Sequence, residues 1–217
     1  MTAQPSHGSP AASDRSLPLR ERKKLRNRRA LADAALRLFT EKGFDATTLE
    51  ELADEAEVSK STFSRIFPAK EAAGIEAEAE LWSAYLTSLA ERTLSGPVLG
   101  ELHQALAATV TGLAPGWDER FIATRLLVVA EPALLRYVEY YRAQINEQVA
   151  ATIAGKLGLG TEDLRAHVLA ELIVTAFRLS GRPWVYRNGL GGRAALLDGL
   201  ADAIKAIPAS LDLRAPV

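Results

Sequence analysis

Gly43 and Pro68 confine everything between them to two short helices. Glycine takes the left-handed conformation that closes a helix, and the residue before a proline is biased away from helical geometry. Between the two stops runs "FDATTLEELADEAEVSKSTFSRIF". Thr47 with Glu50, or Thr48 with Glu51, has capping-box spacing ahead of Leu49, Leu52 and Ala53, which predicts a helix of about two turns. Ser59 then caps a second helix, with Val58 in position to staple onto Phe63, and Pro68 limits it to about eight residues. Its inner stripe is Phe63, Ile66 and Phe67, and its outer face carries Lys60, Ser61, Ser64 and Arg65. Helices that only cover a core show long solvated side chains outward. Small hydroxyls and cations instead suit close approach to an anionic surface.

A longer amphipathic helix precedes them, with Leu31, Ala34, Ala35, Leu38 and Phe39 on one face and Phe44 able to fold back beyond Gly43. Three helices of this kind, the last two joined by a tight turn, describe a helix-turn-helix whose final helix lies in a DNA major groove. Serine and threonine permit close approach there, and Arg65 suits a bidentate contact to guanine. Lys70 opens the next helix, where a cation opposes the helix dipole unless an anion such as a phosphate is shared with it. Thr47 and Thr48 are helix caps first and phosphate contacts second. The chain carries a net charge of -1, but residues 1–30 hold eight Lys or Arg against Asp14 and Glu21, a local +6 that leaves -7 elsewhere. That distribution fits an electrostatic footprint on DNA and equally a solvated helix start with a flexible tail.

With no cysteine, thiolate metal sites and disulfide frameworks are excluded. Residues 1–20 are rich in Pro, Ser and Gly where a signal peptide needs an apolar run, and are expected to form a disordered arm on a cytoplasmic protein. No stretch suits a membrane. The helix-turn-helix domain is expected over 21–69 and a second, larger helical domain over 70–210. Its helices are predicted near 70–94, 98–113, 117–130, 132–157, 161–188 and 192–207, separated by "SGP", "APGWD", Pro132, "GLGTED" and "NGLGG", with Pro183 expected to kink or shorten its helix. No strand pattern interrupts them, so the fold class is all-α.

His7, His103 and His167 are scattered, and no zinc-protease or nucleophile-elbow spacing occurs. Neither an enzyme, a cofactor nor a metal site is expected. The cluster Glu50, Glu51, Asp54, Glu55 has helical spacing without nearby His or Cys, as a solvated face does. "NGLGGR" follows a helix and lacks the Lys-Ser/Thr of a phosphate loop, so it reads as a helix–helix connection.

From Leu31 to Glu71 the chain resembles the TetR family of transcriptional regulators: "AALRLFTEKGFDATTLEELADEAEVSKSTFSRIFPAKE" carries the family's Gly-aromatic-x-x-Thr-Thr run, its Val-Ser turn and its Phe-Pro-x-Lys-Glu ending in register. The resemblance implies an all-helical homodimer that binds a palindromic operator in double-stranded DNA through Thr47, Thr48, Lys60, Ser61, Thr62, Ser64, Arg65 and Lys70. It also implies a C-terminal domain that binds a small molecule and alters DNA affinity. "EPALLRYVEYY" and "ATIAGKLGLGTEDLRAHVLAELI" are similar to a subgroup with acyl-CoA-like ligands. An apolar or acyl-type ligand is accordingly expected among Trp82, Leu106, Val110, Phe121, Ile122, Tyr137, Tyr141 and Ile145, with Arg125 and His103 as orienting groups or structural ones. Four positions depart from the family pattern: Glu57 stands where glycine is frequent, Ser64 and Ile66 replace Tyr, His or Phe, and Ala69 replaces a serine cap.

Dimerisation is expected on the last two long helices, through Leu164, Val168, Leu172 and Thr175 and through Ala195, Leu196, Leu200, Ala203 and Ile207. The competing functions are an architectural DNA-binding protein without a ligand, disfavoured by the long chain after Lys70, and a helical enzyme, disfavoured by the missing catalytic groupings.

Overall fold

A computed structural model describes residues 18–215. Ten helices and no strands occur among the described residues: α1 Leu19–Lys42, α2 Leu49–Glu55, α3 Lys60–Ile66, α4 Lys70–Gly74, α5 Glu76–Glu91, α6 Val98–Gly112, α7 Trp117–Ala130, α8 Pro132–Leu157, α9 Leu164–Tyr186 and α10 Gly192–Ser210. Most of the expected N-terminal arm lies outside the described residues, and α1 already begins at Leu19. Two compact units divide the chain after Ala73.

In the first unit α1 stops where expected, with Gly43 at a φ of 87° and Phe44 edge-on to Phe39 at 5.0 Å. Phe39, Phe44, Leu52, Phe63 and Phe67 fill its core, each buried side chain stabilising the fold by about 1.5–3 kcal/mol. The break between units falls later than Pro68 because Lys70 is tied backward. Its ammonium donates to the carbonyls of Phe44 at 2.7 Å and Thr47 at 3.0 Å and lies 4.1 Å from the Phe44 ring centroid.

In the second unit α5 runs through a core that it shares with α6, α7 and α8, while α9 packs between α8 and α10. The helix expected over 70–94 is two helices. It breaks at Ile75, just past Gly74, whose carbonyl accepts a hydrogen bond from the Thr124 hydroxyl at 3.3 Å. Pro132 opens α8 at its first turn, where the missing N–H costs nothing. Pro183 sits in the last turn of α9, and the helix runs on to Tyr186. "NGLGG" does connect α9 to α10: a Cβ at Gly189 would lie 2.8 Å from Ile122 Cδ1, and the backbone there has a φ of 72°. Arg193 at the start of α10 closes the far end of α6. Its guanidinium donates to the carbonyls of Leu113 at 2.6 Å, Ala114 at 2.9 Å and Val110 at 3.1 Å, and to Asp118 Oδ1 at 2.7 Å. These are the carbonyls that a helix end otherwise leaves without partners.

The two faces expected to dimerise differ. On α9, Leu164 is 76% exposed and Val168 54% exposed. On α10, Leu196 and Leu200 are fully buried in their own chain's core, with Ala203 packed against it. The apolar side of α10 therefore already has a partner in α9 and α6, which removes Leu196 and Leu200 from the expected interface.

Candidate nucleic-acid interface

The turn between α2 and α3 is closed by hydrogen bonds from Glu57 N–H to the Asp54 carbonyl and from Val58 N–H to the Ala53 carbonyl. Glu57 takes a φ of 52° to make it, a left-handed conformation that costs a residue with a Cβ about 1–2 kcal/mol. Ser59 follows as N-cap: its hydroxyl accepts from Thr62 N–H at 3.2 Å and lies 2.9 Å from the hydroxyls of both Ser61 and Thr62. Three hydroxyls thus surround the N-terminus of α3.

Lys60, Ser61, Ser64 and Arg65 are exposed, and Thr62 is half-buried beside them. Arg65 lies back along the helix, donating to the Thr62 hydroxyl at 3.1 Å and the Ser61 carbonyl at 3.3 Å. The Ser64 hydroxyl returns to the Lys60 carbonyl at 3.3 Å. Lys60 reaches across to α2 and pairs with Glu50, whose carboxyl it holds below the ordinary carboxylate range. From behind, Phe63 and Phe67 anchor the helix in the core with ring centroids 5.8 Å apart. Arg28 of α1 stacks 4.7 Å from the Phe67 ring centroid and donates to the Ile66 carbonyl at 3.3 Å, so a cation also serves the C-terminal end of α3. The result is a short helix fixed on one side and presenting only small hydroxyls and cations on the other.

Of the two threonines ahead of α2, Thr48 is the cap. Its side chain accepts from Glu51 N–H while the Glu51 carboxylate accepts from Thr48 N–H, a complete capping box. The Lys42 ammonium and then the Thr48 N–H hold the Glu51 carboxyl at about 2. Thr47 is 1% exposed and its hydroxyl donates to the Gly43 carbonyl at 2.8 Å, so its side chain faces inward and leaves the DNA-facing set. Lys70 also has a different account from the expected one. The carbonyls of Phe44 and Thr47 supply the negative partner that a phosphate was expected to supply.

Residues 31–72 match the family model described as "Bacterial regulatory proteins, tetR family", a span that holds the whole of α2 and α3. Beyond it, the HTH-type transcriptional regulator TcmR of Streptomyces glaucescens is 30% identical over 187 residues, covering 81% of this chain and 82% of TcmR. The chain belongs to the TetR family of transcriptional regulators. Its relatives are regulators and not enzymes. A transcriptional regulator of Rhodococcus sp. Rha1 has the same fold with a TM-score of 0.50 and 19% identity, covering 87% of this chain and 99% of its own. FadR of Thermus thermophilus, a TetR-family repressor in complex with lauroyl-CoA, is 25% identical over 88% of this chain and 98% of its own. The TM-score between the two is 0.45.

In this TetR-family chain, six of the residues expected to line a ligand site, Trp82, Leu106, Val110, Phe121, Ile122 and Ile145, are buried together in one core cluster, and half-buried Tyr141 packs against it. Tyr137 is half-buried on α8. The two expected orienting groups are elsewhere engaged. His103 sits partly buried on α6 near the Lys205 ammonium of α10; burial first, and that charge second, push its pKa down. Arg125 donates to Glu78 Oε2 at 3.1 Å, and Arg142 donates to Glu78 Oε1 at 2.6 Å and to Glu139 at 2.9 Å. Burial pushes the Arg125 guanidinium down by more than the Glu78 carboxylate restores, so it stays below the ordinary arginine range. Arg125 is therefore already paired.

Sequence reasoning missed Glu78 and Arg142, although a signal exists. Glu78 falls in register with Leu81, Trp82, Tyr85 and Leu89, and Arg142 with Leu134, Val138, Ile145, Val149 and Ile153. One opposite charge in each of two apolar stripes is the pattern of a buried pair.

Proposed function

We propose that this regulator is a cytoplasmic, ligand-responsive repressor that binds a palindromic operator as a homodimer, with α3 in the major groove and a mainly apolar molecule held within residues 74–215. The observation that carries the reading is the exposed face of α3. Lys60, Ser61, Thr62, Ser64 and Arg65 stand together on a helix whose other side is anchored by Phe63 and Phe67. Arg65 is held only by exposed hydrogen bonds, so exchanging Thr62 for a guanine edge costs little. Thr48 and Lys60 are the accompanying phosphate contacts, and Lys70 orders the loop that presents them.

Support for a homodimer comes from α9, where Leu164, Val168, Leu172, Thr175 and Leu179 follow helical spacing and Leu164, Val168 and Leu179 are exposed. A two-fold pairing of that stripe gives the protein the symmetry that a palindromic site mirrors. Val168→Glu is expected to yield monomers with poor operator affinity, read by sedimentation and gel shift. Release from DNA needs only differential affinity: a ligand that favours the non-binding conformer about 100-fold contributes about 2.7 kcal/mol toward it.

The experiment is a footprint on the intergenic DNA beside the protein's own gene. A protected inverted repeat whose occupancy falls with salt is expected. Uniform binding to all duplexes would instead favour an architectural role.

A further inference from the structure

Two buried polar atoms find no hydrogen-bond partner among the described residues: Trp82 Nε1 on α5 and Asn146 Oδ1 on α8. α5 and α8 run side by side in the same direction, because Glu78 pairs with Arg142 near one end and the carbonyl of Ala90 accepts from Lys156 Nζ near the other. Four residues on from Glu78 is Trp82, and four on from Arg142 is Asn146. One turn along each helix keeps roughly the same face, so each unpaired atom belongs to a residue one turn beyond the ion pair that joins the two helices. The turn before them is fully paired, through Glu78 and the two arginines. This turn is not.

A buried N–H or carbonyl left without a partner costs enough that each instance in a native structure calls for an explanation. Trp82 stands edge-on to Tyr85 at 5.8 Å and to Phe177 at 5.5 Å, within the buried apolar cluster of this unit. A hydroxyl oxygen both accepts from an indole N–H and donates to an amide oxygen. A carboxylate only accepts; it would leave Asn146 unanswered and bury an unpaired charge. Arg125, the cation expected to receive such a charge, is already held by Glu78.

We propose that Trp82 and Asn146 form the polar end of the ligand site and receive the hydroxyl of an otherwise apolar alcohol or phenol. The inference rests on the ligand-responsive reading above and narrows it from an acyl-type anion to a neutral hydroxyl compound. The tryptophan supplies the donor, the asparagine the acceptor, and the rings of Tyr85, Phe121 and Phe177 the apolar walls.

The test titrates full-length protein with β-naphthol, phenylphenol and decanol, each beside its deoxy parent and the carboxylate of the same skeleton, and follows melting temperature, binding isotherm and operator release. At least one hydroxyl compound is expected to bind about tenfold more tightly than both of its counterparts. Asn146→Leu is expected to erase that preference while leaving the ligand-free protein at least as heat-resistant as the parent, since the substitution removes an unpaired polar group from the seam. Trp82→Phe is expected to erase the preference too, and Asn146→Leu carries the test alone should Trp82→Phe fail to fold. A preference that survives Asn146→Leu overturns the assignment, as does a lower melting temperature with unchanged binding, which would mark a structural water. If carboxylates or hydrocarbons bind and release the operator while hydroxyl compounds do not, the hydroxyl site is wrong and the ligand-responsive reading stands. If nothing in the panel binds, both fall.

Discussion

Ion pairs in the two units include two opposite kinds. In residues 18–73 the pairs of Lys60 with Glu50 and of Lys42 with Glu51 stand in water, all four members being at least a third exposed. In residues 74–215 a glutamate that is 1% exposed lies between Arg125 and an arginine that is 8% exposed. An exposed pair is weak and screened, so its members can change partners at small cost. A buried trio is different, since removing one member strands the others in low dielectric. The first arrangement suits a surface that must exchange a carboxylate for a phosphate. The second fixes α5, α7 and α8 in a single register.

The largest test of that contrast is Glu78→Gln. It leaves two guanidinium groups without their shared carboxylate and is expected to cost about 3–5 kcal/mol of unfolding free energy, measured by urea denaturation. Glu50→Gln, the matching change at the exposed pair, should stay within about 0.5 kcal/mol. Similar losses at both sites would erase the distinction.

Next in size is Arg65→Ala, expected to weaken binding to a matched operator by about 1–3 kcal/mol and to relax preference at one position per half-site. Its stability should hardly change, because its bonds are exposed ones. Glu57→Gly relieves a left-handed glutamate at φ 52° and is expected to raise stability by about 1 kcal/mol, less whatever the extra chain entropy of glycine takes back. A fall in the urea midpoint would show that the Glu57 side chain contributes more than its backbone strain costs.

The smallest effect is a pH dependence. Glu51 is held at about 2 by Lys42 and the Thr48 N–H, against about 4.3 in an unfolded chain. A depressed carboxylate stabilises fully above the unfolded value and loses that contribution as pH falls toward the folded one. Between pH 4.5 and 2 the parent should therefore lose more stability than Glu51→Gln, and salt should narrow the difference because the site is exposed. Parallel curves would remove the pair from the account of acid sensitivity.

The parts of the fold legible in the sequence are those fixed by neighbours along the chain. Gly43, Ser59, Pro68 and Pro132 mark ends within a turn of where they act, and the helix-turn-helix follows from them. Thr47 and Thr48 show where local reading stops. Both have capping spacing, and only burial of Thr47 against α1 chooses between them. The break at Ile75 and the pairing of Glu78 with Arg142 depend on partners 50 and 64 residues away, which no window along the chain contains.

Arg193 sets an order of assembly. Its bond to the Leu113 carbonyl closes a loop of 80 residues, and loops of that length form only after local helices and nearer contacts have already reduced the entropy of closure. During synthesis, α6 therefore emerges and folds with its last carbonyls open, and they are closed only when the start of α10 leaves the ribosome. A chain that ends before residue 193 lacks this closure, which makes the last helix the step that distinguishes a finished regulator from a truncated one for proteases scanning partly folded chains.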